Sequence, residues 1–175
     1  DYFNRFPKNK NKLNKVYNSL SEIKILYVSS LHLYKNHTIL IKAIKLLLSE
    51  YPNIELTLIG EKINFIFDHI HKEFQKLPIK NCKYIEKVDN YSLKNFHAET
   101  DLFIFPSTCE TFPLSLLEAM KSSVPILVSN YIKEINVVNE EVISFNPYDP
   151  IDIAEKIKYI LKNSSLKKDI VIKSH

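Results

Sequence analysis

Two glutamates, Glu110 and Glu118, are the residues of this 175-residue sequence whose type and spacing best suit chemistry. An ionised carboxylate only accepts hydrogen bonds, and a bond to a charged group contributes about 1.5–3 kcal/mol, so such a pair suits binding of hydroxyl groups. Two carboxylates can also perform glycoside hydrolysis, but the acid and the nucleophile must then flank the bond about 5–9.5 Å apart. Nothing in the sequence marks either glutamate as that acid.

The elements around the two glutamates predict where each one lies. The stretch 101–129 reads DLFIFPSTCETFPLSLLEAMKSSVPILVS, an apolar strand, a loop, a short helix and a second strand. Pro113 lacks a backbone N–H and clashes with a preceding helical turn, so the helix begins at or after it. Glu110 is therefore expected on the loop and Glu118 on the helix. Open α/β sheets bind ligands beyond the carboxyl ends of their strands, where this connection would lie.

The helix after Pro113 has an apolar side and a polar side. The apolar side carries Leu116, Leu117 and Met120. The polar side carries Ser115, Glu118 and Ser122. This projection predicts that Glu118 faces away from the core. Ser115 and Glu118 also match the S-x-x-E capping box, so Glu118 has an alternative role in closing the helix start.

Strands and helices alternate about six times along the chain. Strands are predicted at 23–29, 54–59, 82–88, 102–105, after Pro125 and at 142–145. Helices are predicted from Thr38 onward, at 64–75, at 92–99, after Pro113 and after Asp149, with Asn36 and Asp149 as caps. This alternation predicts an α/β fold, a doubly wound, mostly parallel Rossmann-like sheet with helices on both faces.

Composition excludes several classes of protein. With 45% hydrophobic and 25% charged residues, the chain is neither disordered nor fibrous, and no apolar run approaches the roughly 18–20 residues of a membrane span. Cys82 and Cys109 have no partners at metal-ligand spacing, so we expect neither a zinc site nor a disulfide framework. A net charge of +4 without a nucleic-acid motif argues against nucleic acid as a partner. We expect a soluble, cytoplasmic location.

The first twenty residues form a basic segment without sustained periodicity, predicted to be a connector. Its basic side chains are Arg5, Lys8, Lys10, Lys12 and Lys15. They could attract an anionic membrane surface, at the inner face of the membrane, or a polyprenyl-phosphate acceptor. The alternative is a solvated linker. Because the chain begins with Asp1 rather than Met, we expect it to be part of a longer polypeptide.

Two segments resemble the retaining family 4 glycosyltransferases, which have the GT-B fold. They are CETFPLSLLEAMKSSVPI, after a strand ending in FPS, and ILYVSSLHLYKNHTILIKAIKLL. The resemblance covers about residues 1–162. It implies an interdomain connector at 1–20, a nucleotide-sugar-binding domain at 21–163 that is the C-terminal half of a GT-B fold, and a tail at 164–175. It also implies an acceptor-binding domain upstream that this chain lacks.

The resemblance assigns roles residue by residue. Lys35 matches a lysine that holds the donor diphosphate, Glu118 matches the acceptor of the ribose hydroxyl bonds, and Glu110 contacts the transferred sugar near its reacting carbon. We therefore expect Glu110 and Lys35 to be catalytic. Donor contacts are expected from Glu118, Ser30, Thr111, Phe112, Pro113 and Leu114. Ser30 stands where the family has an arginine, so we expect His32 or the absent domain to supply further positive charge.

The chain has one glycine, Gly60, where average usage is about 7%. Four other residues stand where the family usually has glycine: Ser29, Asn36, Thr111 and Ser123. The resemblance implies transfer of a sugar from a nucleotide diphosphate sugar to a glycan or lipid-linked glycan, with retention and without a metal or other cofactor. Bacterial envelope or capsule polysaccharide synthesis is the expected setting.

Alternatives remain at this stage. One is a non-catalytic nucleotide-sugar-binding or assembly module, and another is a different doubly wound protein, such as a GT-B sugar epimerase or a receiver-like signalling domain. A receiver requires acidic residues at the ends of the early strands, where this chain has Ser29, Ser30 and Gly60. Among single residues, Lys35 could be an ordinary surface lysine, and we expect His37 and Cys109 to be structural or incidental.

Overall fold

The computed structural model describes residues 14–111, 113–132 and 143–163. Its centre is a six-stranded sheet. The strands are β1 (Ile23–Val28), β2 (Ile54–Ile59), β3 (Cys82–Ile85), β4 (Leu102–Phe105), β5 (Ile126–Ser129) and β6 (Ile143–Phe145). Each neighbouring pair of these strands is parallel. The predicted parallel sheet is confirmed.

Within the described residues there are five α-helices, four of them between successive strands and one after β6. They are α1 (His37–Leu47), α2 (Asn64–Phe74), α3 (Asn90–Glu99), α4 (Leu114–Lys121) and α5 (Pro150–Lys162). Short 3-10 turns occur at Leu33–Lys35 and Ile79–Asn81. The start of α5 is as predicted, because the Asp149 side chain accepts a hydrogen bond from the Ile151 N–H and Pro150 is the first helical residue.

The boundaries around β3 differ from the sequence prediction. β3 was expected to run to residue 88 but ends at Ile85, which pairs with Ile59, the last residue of β2. Beyond that pair, β2 has no further residues with which β3 could form strand hydrogen bonds. α3 begins at Asn90 rather than at Ser92, because the Asp89 side chain accepts from the N–H groups of Tyr91 and Ser92.

The order of strands across the sheet is β3-β2-β1-β4-β5-β6. The chain moves outward from β1 to β3 and then crosses to the other side of β1 to form β4. Because every strand is parallel, the loops after β1 and β4 leave the same carboxyl edge in opposite directions. A crevice therefore opens between them, at the position where doubly wound sheets bind ligands.

The core lies on both sides of the central strands. Every residue of β4 and β5 is buried, and successive side chains of a strand point to opposite faces, so both faces of the sheet are covered. The largest fully buried side chains include Tyr27, Phe103 and Phe105. α1 and α5 pack against each other.

A buried carboxylate holds the start of the described chain against the amino end of β4. Tyr17 is 4% exposed and donates from its hydroxyl to Asp101 Oδ1 at 2.7 Å. The other oxygen of Asp101 accepts from the Lys24 N–H at 2.8 Å. Burial and Asp101 together raise the pKa of Tyr17, which keeps its hydroxyl protonated. Tyr17, within the predicted connector, is thus packed into the core.

Several predictions fall on residues outside the described part of the chain. They concern the basic residues Arg5, Lys8, Lys10 and Lys12, the tail 164–175, and Val142 at the start of the predicted last strand. Within the described residues, no helix is long and apolar enough to cross a membrane.

Three backbone positions depend on small or adaptable residues. Asn36 and Ser123 have φ values of 55° and 56°, in the left-handed region that favours glycine. Both are among the four positions where the resemblance implies glycine. A Cβ added to Gly60 would lie 1.9 Å from the Ser29 carbonyl oxygen, so the loops after β1 and β2 meet closely there.

Candidate functional site

The loops that follow β1 and β4 are bonded to each other across the crevice. Tyr34, in the first loop, accepts two hydrogen bonds on its carbonyl oxygen from Thr108 in the second, from the N–H at 2.9 Å and from Oγ1 at 3.1 Å. The Asn36 side-chain amide donates to the Pro106 carbonyl oxygen at 2.9 Å. These contacts bring residues far apart in sequence into one site.

An enclosed ion pair lies between the two loops. Lys35 Nζ lies 2.5 Å from Glu110 Oε1, and the two side chains are 11% and 10% exposed. The ammonium group also lies 5.2 Å from the centroid of the Tyr34 ring. Lys35 is therefore not the ordinary surface lysine considered from the sequence. The structure brings together the two residues that were predicted to be catalytic.

Buried aromatic side chains support the backbone of Lys35. The Tyr27 hydroxyl donates to the Lys35 carbonyl oxygen at 3.0 Å, and burial raises the pKa of Tyr27, so this hydroxyl remains a donor. The His37 ring lies 4.8 Å from the Tyr27 ring. Burial lowers the pKa of His37 to about 3, so its imidazole is neutral at pH 7. The expected structural role of His37 fits this packing.

Asn36 precedes α1 as predicted, but the prediction that its side chain caps the helix was wrong. A side-chain cap requires an extended backbone conformation at that residue. Asn36 instead has a left-handed backbone, with φ 55° and ψ 31°, and makes no side-chain bond to the α1 N–H groups. Its amide is directed to Pro106 in the neighbouring loop.

Glu118 lies on α4, as predicted, but does not face solvent. The residue is 6% exposed, and Ser122 on the same predicted polar side is 0% exposed. An apolar stripe identifies the helix face that meets the sheet, but it says nothing about what covers the opposite face. The capping-box alternative is also wrong, because Pro113 occupies the N-cap position and Ser115 lies within the first turn.

The remaining predicted donor residues surround the start of α4 and the first loop. Pro113 ends the loop, Leu114 is 54% exposed, Thr111 is exposed and Ser30 is half-buried. Phe112 lies outside the described residues. The first N–H groups of a helix have no acceptor within it, and the helix dipole adds about half a positive charge there. The start of α4 therefore suits an anion.

An open cavity of about 710 Å³ lies at the carboxyl ends of β1, β2 and β3, on the same edge of the sheet as the crevice. It is lined by Val28, Ile59, Gly60, Glu61, Glu86, Lys87, Val88 and Leu93. These residues were not predicted as a site from the sequence. The available signal was positional, since most of them lie at or just beyond the carboxyl ends of the first three strands.

Other candidate groups are less engaged with the crevice. His32 is half-buried and stacks on the Tyr34 ring, with ring centroids 5.1 Å apart. Cys109 is an exposed free thiol, whereas burial raises the pKa of the Cys82 thiol. Across residues 14–111, 113–132 and 143–163, no three His, Cys, Asp or Glu side chains gather into a group that could hold a metal ion.

Comparisons with known proteins identify the family of the chain. Residues 9–174 match the model of the family described as glycosyl transferases group 1. Protein CapJ of Staphylococcus aureus is 29% identical over 165 residues, which are 93% of this chain and 41% of CapJ. The capsular polysaccharide biosynthesis glycosyltransferase CapM of the same species is 29% identical over 174 residues, covering 96% of this chain and 45% of CapM. The chain thus spans less than half the length of these relatives.

Solved structures share the fold. The C-terminal domain of a glycosyl transferase group 1 family protein, LpcC of Francisella tularensis, has a TM-score of 0.79 at 22% identity, covering 99% of this chain and 93% of that domain. Anabaena HepE, in complex with UDP and glucose, has a TM-score of 0.80 at 17% identity, covering 98% of this chain and 48% of HepE. The predicted fold is therefore confirmed, and the matched family model shows that this chain belongs to the glycosyl transferases group 1.

Proposed function

We propose that this chain binds a nucleoside diphosphate sugar in the crevice between the loops after β1 and β4, as the donor-binding part of a glycosyltransferase. The enclosed pair of Lys35 and Glu110 carries the proposal. It places one cation and one carboxylate, each nearly shielded from water, at the switch point of the sheet. The cation can stabilise the negative charge of a leaving phosphate group. The carboxylate can accept hydrogen bonds from the hydroxyl groups of the neighbouring sugar.

The charges at the site match the task in sign. A diphosphate carries about two negative charges, and more charge develops on it as the bond to the sugar breaks. Lys35 supplies one positive charge, and the start of α4 adds the equivalent of about half a charge. His32 or the remainder of the protein must supply the rest. When the donor binds, Lys35 exchanges its contact with Glu110 for one with the phosphates, and Glu110 becomes available to sugar hydroxyl groups.

The neighbouring cavity is suited to the nucleoside. Its volume of about 710 Å³ lies within the roughly 300–1,000 Å³ of ordinary ligand pockets. Val28, Ile59 and Val88 offer apolar surface for a base. In this arrangement Glu118 accepts hydrogen bonds from the ribose, and Thr111 to Leu114 present the start of α4 to the phosphates.

The reaction we propose is transfer with retention at the anomeric carbon and without a metal, as in the retaining family 4 glycosyltransferases that the sequence resembles. The acceptor would be bound largely by a domain outside this chain. A glycan or lipid-linked glycan acceptor is consistent with the capsular relatives, CapM among them. A cytoplasmic position beside the membrane would suit such an acceptor.

Calorimetric titration of the 175-residue chain with UDP, GDP, ADP and dTDP, and with their sugar conjugates, tests donor binding. We expect saturable binding of one nucleoside diphosphate, weakened about tenfold in Lys35→Met, which corresponds to about 1.4 kcal/mol. Lys24→Met is the matched control, because Lys24 pairs with Glu99 at the amino edge of the sheet. Equal weakening by both substitutions, or no binding of any nucleotide, would contradict the proposal.

A second experiment separates an enzyme from a non-catalytic binding module. The full-length protein is incubated with the nucleotide sugar that titration identifies, with EDTA present, and product is followed by NMR at the anomeric proton. Transfer with retained configuration is expected, and Glu110→Gln should reduce it about 100-fold or more, a loss of about 2.7 kcal/mol in transition-state stabilisation. Donor binding without any turnover would favour the module.

A further inference from the structure

Asn36 contacts both sides of the crevice. It is 8% exposed and follows Lys35 directly in the chain. Its amide nitrogen lies 2.9 Å from the Pro106 carbonyl oxygen and 3.4 Å from the Tyr34 carbonyl oxygen. Its own carbonyl oxygen accepts from the Leu40 N–H at the start of α1. The side chain thus joins the first and second loops, and the backbone carbonyl joins the same residue to the start of α1.

The backbone at Asn36 explains why this residue type can perform the task. With φ at 55°, the position favours glycine, and asparagine is among the few other residues that tolerate this conformation. Glycine would form the same turn without any bond to the second loop. Aspartate would have nearly the same shape but would present an acceptor to the Pro106 carbonyl, which is itself an acceptor.

We propose that Asn36 is a positioning residue, which fixes Lys35 opposite Glu110 by holding the two loops at a set separation. Pro106 directly follows β4 and lies four residues before Glu110, so the bond reaches the base of the loop that carries the carboxylate. On the lysine side, the Tyr27 hydroxyl already fixes the Lys35 carbonyl. The amide of Asn36 links these two supports. This inference rests on the proposed function only where it concerns the donor.

A double-mutant cycle tests the positioning without requiring a donor. The coupling free energy between Lys35 and Glu110 is obtained from urea unfolding of the 175-residue chain, using Lys35→Met, Glu110→Ala and the double variant. The cycle is then repeated in an Asn36→Gly background. We expect the coupling to fall by about half or more, since glycine retains the left-handed backbone but removes the bridge. A coupling equal to that of the native background would overturn the proposal.

Two further variants distinguish positioning from a general effect on stability. Asn36→Asp should reduce the coupling as Asn36→Gly does, because both lack the amide donor. Thr108→Val removes the Oγ1 bond to Tyr34 but leaves the bond from the Thr108 N–H, so it should retain most of the coupling. Equal losses in Thr108→Val and Asn36→Gly would show that any weakening of the loops suffices, which would overturn a specific role for Asn36.

Nucleotide titration then extends the test to the donor. If the native chain binds a nucleoside diphosphate, Asn36→Gly should bind it about three- to tenfold more weakly, and unchanged affinity would contradict positioning for the donor. If the native chain binds no nucleotide, the proposed function fails. The coupling measurement still decides whether Asn36 positions the ion pair.

Discussion

The two ends of β4 each carry a shielded carboxylate, but the groups that these carboxylates contact are of different kinds. At the amino end, Asp101 accepts from the Tyr17 hydroxyl and from the Lys24 N–H, donors that are fixed by the core and by the backbone. At the carboxyl end, Glu110 meets the ammonium group of Lys35. A lysine stem has several rotatable bonds, so its contact can be exchanged for a ligand. Under the proposed function, the first carboxylate contributes to stability, whereas the second exchanges its lysine partner when the donor binds.

The largest effect is expected from removing the structural carboxylate. Asp101→Ala leaves the Tyr17 hydroxyl and the Lys24 N–H without the acceptors that Asp101 provides. Each buried donor without an acceptor costs about 1–3 kcal/mol, so the free energy of unfolding should fall by about 2–6 kcal/mol. Urea denaturation measures this fall. A loss below about 1 kcal/mol would remove the distinction between the two ends.

The next largest effect is a pH dependence of the free energy of unfolding, which arises near the carboxyl end of β4. His37 packs on Tyr27, which contacts Phe105, the last residue of β4. The pKa of His37 is lowered from 6.5 in the unfolded chain to about 3 in the folded protein. Between these values the unfolded state binds the extra proton, so stability is full above pH 6.5 and decreases as the pH falls. Each pH unit costs about 1.4 kcal/mol, or about 2 kcal/mol at pH 5.

Urea unfolding of the native chain and of His37→Gln between pH 7 and pH 5 measures this contribution. The variant should lose less stability over the interval, by about 2 kcal/mol, because glutamine does not titrate. His97, whose pKa burial lowers to about 4, contributes a decrease of the same sign in both proteins. Parallel curves for the two proteins would show that His37 does not carry the acid sensitivity.

A smaller effect is expected when the exchangeable carboxylate is neutralised. Glu110→Gln keeps an oxygen that can accept from Lys35, so the free energy of unfolding should change by only about 1 kcal/mol. In this variant, Lys35 does not have to break an ion pair before it contacts the phosphates, so affinity for a nucleoside diphosphate should rise. Sugar transfer should fall, because the carboxylate is missing. Calorimetry and urea denaturation on one preparation measure both. Weaker nucleotide binding together with a large loss of stability would make Glu110 resemble Asp101.

The smallest effect is expected from the exposed ion pair beside Asp101. Lys24 donates its backbone N–H to Asp101, whereas its side chain pairs with Glu99, and these two side chains are 43% and 64% exposed. Glu99→Ala should change the free energy of unfolding by about 0–1 kcal/mol. Comparing it with Asp101→Ala therefore contrasts two contacts of the same residue. A loss as large as that of Asp101→Ala would show that shielding from water does not determine how much each contact contributes to stability.

Local patterns in the sequence predicted the elements and their order well. β2 has its predicted bounds because an apolar, branched run ends at Gly60, and α5 begins where Asp149 and Pro150 indicate. β4 was predicted correctly for the same reason, since it is a continuous apolar run. The end of β3 was not predicted, because it depends on where the neighbouring strand stops.

Candidate site residues could be named from the sequence, but their arrangement could not. Periodicity cannot show that Lys35 meets Glu110, because loops from distant parts of the chain make that contact. The burial of Glu118 was not predicted, because a helical projection shows which face of α4 meets the sheet but not what covers the opposite face. The bond from Asn36 to Pro106 was missed, since a cap was inferred without knowledge of the backbone conformation.

The strand order also determines when the site can form during folding. Ile25 of β1 pairs with Leu102 of β4, so both contributing loops are brought together by strands that are distant in sequence. The β1–β2 pair closes a much shorter loop, and short loops close at a lower entropic cost. β1 is therefore expected to pair with β2 before it pairs with β4. On a ribosome, the crevice can begin to assemble only after β4 has emerged.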